Sequence, residues 1–248
     1  MKNIWLIFWF CFGIISGQEK IISPKFEWVR QAGGRFYDHA NAIVTDTNDN
    51  VYITGFFQEK AKFDSTVLDS YGLDDYDIFI AKYDKHGNFI WAKQAGGTGF
   101  DEGNSITSDG MDNLYITGYF KSKATFGNQS LTAFGAGDVF IAKYDKSGNL
   151  LWVKQAGSPG EDRGYSISCD QERNVIVTGS FVGLANFGKN KLRAKGGSDI
   201  FIAKYTCNGK LLWVKQAGGI SYDVGYSCVN DRFNNLIITG YFKDKATF

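Results

Sequence analysis

The residues best suited to chemistry in this chain are acidic, and they recur in a phrase of the form Asp-x-Phe-Ile-Ala-Lys-Tyr. The phrase sets Asp77 with Lys82, Asp138 with Lys143 and Asp199 with Lys204. A glutamine recurs alongside, at Gln31, Gln94, Gln155 and Gln216. This set could line a central channel, or it could form a hydrogen-bonded ring that fixes the register of neighbouring repeats. We favour the second interpretation, because buried polar groups require partners.

A second acidic group lies in the run Asp74-Asp75-Tyr76-Asp77, where the first full copy is two residues longer than the others. Two carboxylates can form the acid–base pair of a glycosidase, but a solvated loop explains this cluster more simply. The variable segments 69–76, 133–137 and 193–197 are where a ligand would be read, and their aromatic rings suit a sugar or a peptide. Packing of those rings against the next repeat is the alternative. The candidate ligand-binding residues are Tyr71, Asp74, Asp75, Tyr76 and Phe134.

No catalytic residue, metal or cofactor is predicted. Asp38, Asp101, Asp162 and Asp223 recur after a Gly-rich phrase, and we interpret them as turn caps, because identical environments cannot separate an acid from a base. Only two histidines occur, His39 and His86, and the sequence has neither a Gly-x-Ser-x-Gly elbow nor a His-rich ligand set. A formal net charge of +1 without a basic run argues against a nucleic-acid partner.

The cysteines outside the N-terminal segment, Cys169, Cys207 and Cys228, match neither a disulfide framework nor a zinc site. Cys228 stands where other copies carry Ile43, Ile106 and Ile167, so we expect it to fill a core position. Cys207 is expected in an exposed turn. A bridge between Cys169 and Cys228 stays open as a weaker alternative.

The elements that must position these residues are copies of one unit. Trp28, Trp91, Trp152 and Trp213 lie 63, 61 and 61 residues apart, and each opens the phrase Trp-(Val/Ala)-(Lys/Arg)-Gln-Ala-Gly. A repeat of this length built from short strands cannot bury both faces of its own sheet, so copies must pack on one another. If the Trp152 ring is wedged in the interior, Trp152→Ala should cost about 3–5 kcal/mol.

Four strands are predicted in the second copy, at 103–108, 114–120, 138–144 and 150–156, with short strand character inside the connection 121–137. The third strand is apolar on both faces, so neighbouring sheets must cover it. Tight turns such as Asp145-Lys146-Ser147-Gly148-Asn149 join the strands and end on a glycine that needs positive φ. These patterns predict an all-β chain of four-stranded antiparallel blades arranged as a β-propeller or a partial arc.

The phrases Gly103-Asn104-Ser105-Ile106, Asn113-Leu114-Tyr115-Ile116-Thr117-Gly118 and Asp138-Val139-Phe140-Ile141-Ala142-Lys143-Tyr144-Asp145 resemble the bacterial SBBP-type β-propeller repeat. The turn–strand phrase Asp-x-x-x-Asn-(Leu/Val)-Tyr-Ile is similar to NHL-type blades. The resemblance extends over almost all of 26–248. It implies a propeller fold and a secreted or cell-surface setting, and it brings no catalytic motif.

The chain is expected to divide into a signal peptide at 1–17, a short lead-in at 18–25 and a repeat array of about 3.6 copies at 26–248. Lys2 precedes an apolar run from Ile4 to Ile15, which is shorter than the ~20 residues that span a bilayer. The last copy stops after its second strand, so we expect further repeats beyond it; a closed ring of four blades is the alternative. We expect a non-catalytic binding or structural module whose partner is an extracellular protein or glycan, with a polysaccharide hydrolase or lyase as the alternative.

Overall fold

The computed structural model describes residues 4–7, 26–72 and 74–248. This part of the chain is all-β and its sheets pair antiparallel strands, with no helix among the described residues. Consequently, no helix in the described ranges has the length and apolar content needed to cross a bilayer.

Three sequential units, A, B and C, each fold as a four-stranded antiparallel meander, and a half-unit D adds two strands. The strands expected for the second copy are present in unit B, where the first begins at Glu102 rather than Gly103. The strands are β3 (Asp38–Thr45), β4 (Val51–Gln58), β7 (Tyr76–Tyr83) and β8 (Phe89–Thr98) in A; β9 (Glu102–Ser108), β10 (Leu114–Phe120), β13 (Asp138–Tyr144) and β14 (Leu150–Ala156) in B; β15 (Arg163–Cys169), β16 (Val175–Phe181), β19 (Asp199–Tyr205) and β20 (Leu211–Gly219) in C; and β21 (Val224–Asn230) and β22 (Leu236–Tyr241) in D.

Each unit inserts a short hairpin between its second and third strands, and this hairpin leans on the preceding unit. The hairpin strands are β5 (Lys60–Phe63) and β6 (Thr66–Asp69), β11 (Lys123–Phe126) and β12 (Gln129–Thr132), β17 (Leu184–Phe187) and β18 (Asn190–Arg193), and β23 (Ala246–Thr247) in D. Strand β11 pairs with β8, β23 pairs with β20, and β5 pairs with β2 (Val29–Gly34), a fourth-strand equivalent that precedes unit A. The connection 121–137 therefore holds a full hairpin that ties successive units together.

Strand β1 (Ile4–Ile7) lies within the expected leader and pairs antiparallel with β2. Ile4 stands opposite Ala32 and Trp5 opposite Gln31, which is the register that Ile200 and Phe201 take opposite Ala217 and Gln216 in unit C. Thus β1 occupies a third-strand position on β2. The rest of the expected leader and lead-in, 1–3 and 8–25, lies outside the described residues.

The apolar core fills the joints between units. One cluster joins A to B through side chains such as Ile80 and Ile116, and another joins B to C through Val139 and Phe201. A third cluster packs β2 and the β5–β6 hairpin on unit A. Both faces of the third strand are buried, as its two-sided apolar pattern predicts.

The repeated tryptophans do not lie uniformly in the interior. Trp28 is buried, but Trp91, Trp152 and Trp213 are half-buried, so the Trp152 ring is not wedged in the core. The indoles of Trp28, Trp91 and Trp152 each pack on a turn of the next unit. Indole Nε1–H donates to a turn carbonyl at 3.1 Å from Trp28 to Lys85, 3.3 Å from Trp91 to Lys146 and 3.1 Å from Trp152 to Cys207.

The glycine of each such turn makes room for the indole. Gly209 has a φ of 76°, and a Cβ added there would lie 3.0 Å from the ring of Trp152. Gly87 stands in the same relation to Trp28, at 2.4 Å. We call this contact the indole clasp. It explains why the tryptophan phrase and the glycine-containing turn recur together, because each is complete only with the neighbouring copy.

Candidate functional site

Chain direction separates two faces of the array. The insertion hairpins and the connections from fourth to first strands gather on one side, which we call the insertion face, because strands two and four run toward it. The tight turns between strands one and two and between three and four gather on the opposite side, the turn face.

The recurring Asp and Gln residues meet on the insertion face. Gln94 Nε2 donates to Asp77 Oδ2 at 2.5 Å and to the Asp69 carbonyl at 2.8 Å, and the Tyr71 N–H donates to the same Asp77 oxygen at 2.9 Å. Unit B repeats this arrangement with Gln155, Asp138 and Phe134, and unit C with Gln216, Asp199 and Lys195. The carboxylates are fully buried and anchor the base of each insertion loop.

The aspartates predicted as turn caps lie beside the recurring Asp and Gln residues. Asp101 Oδ2 accepts the Gly97 N–H at 2.7 Å, and its Oδ1 accepts the Lys121 N–H at 2.9 Å, so it links the connection before β9 to the end of β10. A Cβ on Gly96 would lie 2.4 Å from Asp77 Oδ1 and 2.9 Å from Asp101 Oδ2. Two carboxylates from successive units therefore face each other across this glycine. Asp38, Asp162 and Asp223 cap the corresponding connections.

Burial perturbs the titration of these carboxyl groups. Burial raises the pKa of Asp77 to about 6 and that of Asp101 to about 7. The Asp75 charge adds to the rise in both pKa values, and the Asp77 charge adds to the rise at Asp101. Burial likewise raises the pKa of Asp162 to about 6. Such values would suit general acids, but Asp77, Asp101 and Asp162 expose none of their surface. They cannot touch a polymeric substrate, and the geometry gives them a scaffolding role.

The lysines of the repeated phrase lie at the opposite end of the third strand, on the turn face. Lys204 Nζ is 2.7 Å from Asp170, and Lys143 Nζ is 4.0 Å from Asp109. Lys82 sits over the Tyr52 ring at 4.8 Å. The Asp and Lys of one phrase therefore never pair with each other. They are packed within and between sheets, which removes the interpretation in which the set lines a central channel.

The candidate ligand-binding residues fall into two groups. Tyr71 and Phe134 occupy equivalent insertion-loop positions in units A and B, and their side chains are 58% and 53% exposed. Asp74 is exposed with a φ of 62°, and Asp75 is half-buried. Tyr76 differs, because its ring packs between Phe56 and Phe100, each with its centroid 4.8 Å away.

Sequence reasoning missed the surroundings of Tyr76. His39 stacks on Phe56 at 5.7 Å, which extends the aromatic row, and Lys121 lies over the Phe100 ring at 5.4 Å. At the B–C joint the equivalent positions carry a charged network in which Arg163 contacts Glu161 at 2.8 Å and covers the Tyr119 ring at 3.8 Å. The sequence did carry a signal for this cluster, because the residue types at these aligned positions differ from one copy to the next. It could not be read without knowing which positions meet across a joint.

The described residues form neither a metal-binding cluster nor a disulfide bridge. No group of three or more His, Cys, Asp or Glu side chains within them could hold a metal ion. Cys169, Cys207 and Cys228 are free thiols, so Cys169 and Cys228 form no bridge, and Cys207 is half-buried rather than exposed. Cys228 is buried among unit C side chains as a core residue, and burial raises its thiol pKa.

Two curated relatives resemble this chain. An uncharacterised WD repeat-containing protein of Acanthamoeba polyphaga mimivirus is 25% identical over 87% of this chain and 19% of its own length. The regulatory protein FlaEY of Caulobacter vibrioides is 29% identical over 36% of this chain and 10% of its own length. The chain thus spans a fifth or less of the relatives it matches.

The family model described as SBBP, a beta-propeller repeat, matches residues 27–55 and 90–119. Each matched stretch holds the fourth strand of one unit and the first two strands of the next, so the family repeat crosses a joint between units. The chain therefore carries SBBP-type β-propeller repeats at residues 27–55 and 90–119.

Proposed function

We propose that this chain is part of a secreted or cell-surface β-propeller that acts as a non-catalytic binding module and reads its ligand on the insertion face. The units are taken to stack radially, with their first strands nearest the axis. Side chains on those strands cross from unit to unit: Asn41 Nδ2 donates to the Gly103 carbonyl at 3.0 Å, and Asn104 Nδ2 donates to the Gly164 carbonyl at 2.9 Å. This lateral contact of first strands is what a propeller arc requires.

The observation that carries the binding proposal is the pair of exposed rings at equivalent positions of adjacent units. Tyr71 and Phe134 project from loops whose backbone is fixed by buried Asp77 and Asp138. Exposed aromatic rings on a rigid base give large contact area at a small entropic cost. A ligand that contacts successive units in the same way is an extended polymer, and we propose a glycan.

The secreted setting rests on the apolar run before Ser16-Gly17. Cleavage there would remove β1 and free the edge of β2. N-terminal sequencing of protein recovered from the medium of an expressing cell tests this part of the proposal. A start at residue 18 supports it, and recovery only inside cells contradicts it.

Retention on immobilised polysaccharides tests the binding proposal. Saturable retention is expected, and the double change Tyr71→Ala with Phe134→Ala should weaken it by about 10-fold or more, since each ring contributes about 1 kcal/mol or more at a binding surface. Phe233→Ala is the matched control, because that ring is 69% exposed on the turn face and should not matter. Equal losses in both variants, or no retention at all, would contradict the proposal.

The same preparations distinguish binding from catalysis. No release of reducing ends from the retained polysaccharide is expected. Turnover that Asp74→Asn or Asp75→Asn abolishes would establish the hydrolase or lyase alternative instead, since both carboxylates lie on the insertion face and solvent reaches them.

A further inference from the structure

Unit C carries a lysine at the insertion-loop position where units A and B carry exposed aromatic rings. The backbone N–H of Lys195 donates to the third-strand aspartate of its own unit at 3.3 Å, and the N–H groups of Tyr71 and Phe134 make the same bond at 2.9 Å. All three side chains are exposed on the insertion face. On the basis of the proposed function, we propose that the glycan stacked on Tyr71 and Phe134 carries an acidic sugar, and that Lys195 binds its carboxylate or sulfate group.

The charge of the insertion segments changes in steps along the array. Segment 59–76 of unit A holds five acidic residues and two lysines, a net charge of −3. Segment 121–137 of unit B holds two lysines and no acidic residue, and segment 182–198 of unit C holds three lysines, one arginine and no acidic residue. The net charge therefore rises from −3 to +2 to +4 over three units. An anionic group on a bound polymer is attracted to unit C and repelled from unit A.

No carboxylate of the described residues pairs with the Lys195 ammonium. Its Nζ donates to the Gly218 carbonyl at 3.4 Å, and none of the ion pairs in the described ranges includes it. Asp199 and Asp223 are fully buried next to Gly218, but neither forms an ion pair with Lys195. An ammonium has three donors, and one long bond to a backbone carbonyl leaves donors for an anionic ligand.

An aromatic ring lies against the same loop. A Cβ on Gly197 would come within 2.7 Å of the Tyr222 ring, so this ring packs on the backbone two residues after Lys195. The Gly197 N–H donates to the Ser221 carbonyl at 2.9 Å, and Ser198 forms a β-bridge with Tyr222, so the loop and the ring are held together. A ring and an ammonium in one loop suit an acidic sugar, whose apolar face stacks on the ring while its acid group binds the lysine.

The acidic residues of unit A restrict the pattern of charge on the ligand. Asp74 and Asp75 lie in the same loop as Tyr71, and no ion pair of the described residues includes either carboxylate. A polymer with an acid group on every sugar would place one beside these carboxylates, which opposes binding. The ligand that fits is a mainly neutral glycan with widely spaced acidic sugars, aligned so that neutral sugars contact unit A and an acidic sugar contacts unit C.

The experiment measures binding of the full chain to three forms of one polysaccharide. These are glucuronoxylan, in which occasional uronic acids branch from a neutral backbone, the same polymer after reduction of its carboxyl groups, and the reduced polymer after light sulfation. We expect glucuronoxylan to bind about 5- to 10-fold more tightly than the reduced polymer at low salt, and the difference to shrink at high salt. The sulfated form distinguishes the two acid groups: binding tighter than that of glucuronoxylan assigns a sulfate, and weaker binding assigns a carboxylate.

Variants of Lys195 test the residue itself. Lys195→Gln should remove the preference for glucuronoxylan over the reduced polymer, and Lys195→Arg should keep it, because the positive charge is retained. Lys189→Gln is the matched control, since Lys189 has the same charge and is exposed in the turn at the far end of the same hairpin. Its preference should change by less than about 2-fold, as for a distant surface charge.

Three results would overturn the assignment of an acidic sugar to Lys195. They are equal binding of glucuronoxylan and the reduced polymer, a preference that survives in Lys195→Gln, and tighter binding of polygalacturonate, which is acidic on every sugar. If Tyr71→Ala with Phe134→Ala still weakens binding in any of these cases, the proposed glycan binding stands and only the acidic sugar is ruled out. Absence of binding to all of these polymers contradicts both proposals.

Discussion

The indole clasp between Trp152 and Gly209 predicts an energetic coupling between positions in successive units. Removing a fully buried tryptophan costs about 3–5 kcal/mol. Because the Trp152 ring is half-buried, we expect about 2 kcal/mol from lost packing, and loss of its hydrogen bond to the Cys207 carbonyl adds about 1 kcal/mol. Trp152→Ala should therefore lower the free energy of unfolding by about 3 kcal/mol.

Gly209→Ala should act on the other side of the clasp. Its φ of 76° makes any side chain strained by about 1–2 kcal/mol, and the added Cβ would also press on the indole, 3.0 Å away. In a Trp152→Ala background the contact with the indole disappears, and the other close neighbour of this Cβ, the flexible end of the Lys154 side chain at 2.9 Å, can move aside. The double variant should thus be about 1 kcal/mol more stable than the sum of the single effects, well beyond the ~0.3–0.5 kcal/mol scatter of independent sites.

Urea unfolding followed by circular dichroism measures all three variants. Trp213→Ala is the control, because this half-buried indole has no following-unit turn among the described residues, and it should cost about 1 kcal/mol less than Trp152→Ala. Strict additivity of Trp152→Ala and Gly209→Ala, or equal costs at Trp152 and Trp213, would refute the clasp.

Three further outcomes are expected. Burial raises the pKa of Asp77 to about 6, so the folded state prefers the protonated carboxyl, and the stability that this group contributes is lost as pH rises from about 4 to about 6. At pH 8 the loss is on the order of 2–3 kcal/mol. Thermal melts at pH 4 and pH 8 should show this loss in the parent chain and not in Asp77→Asn. Asp170→Ala should cost about 2 kcal/mol in urea unfolding, because Asp170 caps its turn and binds Lys204. Asp231→Ala should cost clearly less, because Asp231 caps its turn but pairs with no lysine among the described residues. Equal costs would contradict the assignment. Asn104→Ala should cost about 1 kcal/mol by breaking its bond to the Gly164 carbonyl, and an unchanged melting curve would contradict a structural role for that bond.

Local pattern was enough to predict the four main strands of unit B. The apolar run Leu114–Phe120, the two-sided apolar run Asp138–Tyr144 and the glycine of the Asp145–Asn149 turn each depend on near neighbours in sequence, and all appear where expected. The sequence also predicted that sheets pack on both faces of the third strand, because apolar side chains on both faces need neighbouring sheets to cover them.

Contacts across the joints could not be read in the same way. The burial of Trp152 depends on a turn about 55 residues later, and the pairing of β11 with β8 joins segments that have no complementary signal in their own sequences. Asp138 and Lys143 recur together in one phrase, but they lie five residues apart on an extended strand, so their side chains are at opposite ends of it. The candidate aromatic residues differ in exposure because of contacts across a joint. Tyr71 is exposed, whereas Tyr76 packs on Phe100 from the next unit.

Neighbouring units complete one another, and a crystal structure of the chain tests this arrangement without further assumptions. We expect the Trp28, Trp91 and Trp152 indoles on turn carbonyls of the following unit and the β11–β12 hairpin paired with β8 of the preceding one. Sheets separated by solvent, or hairpins folded back on their own units, would contradict it.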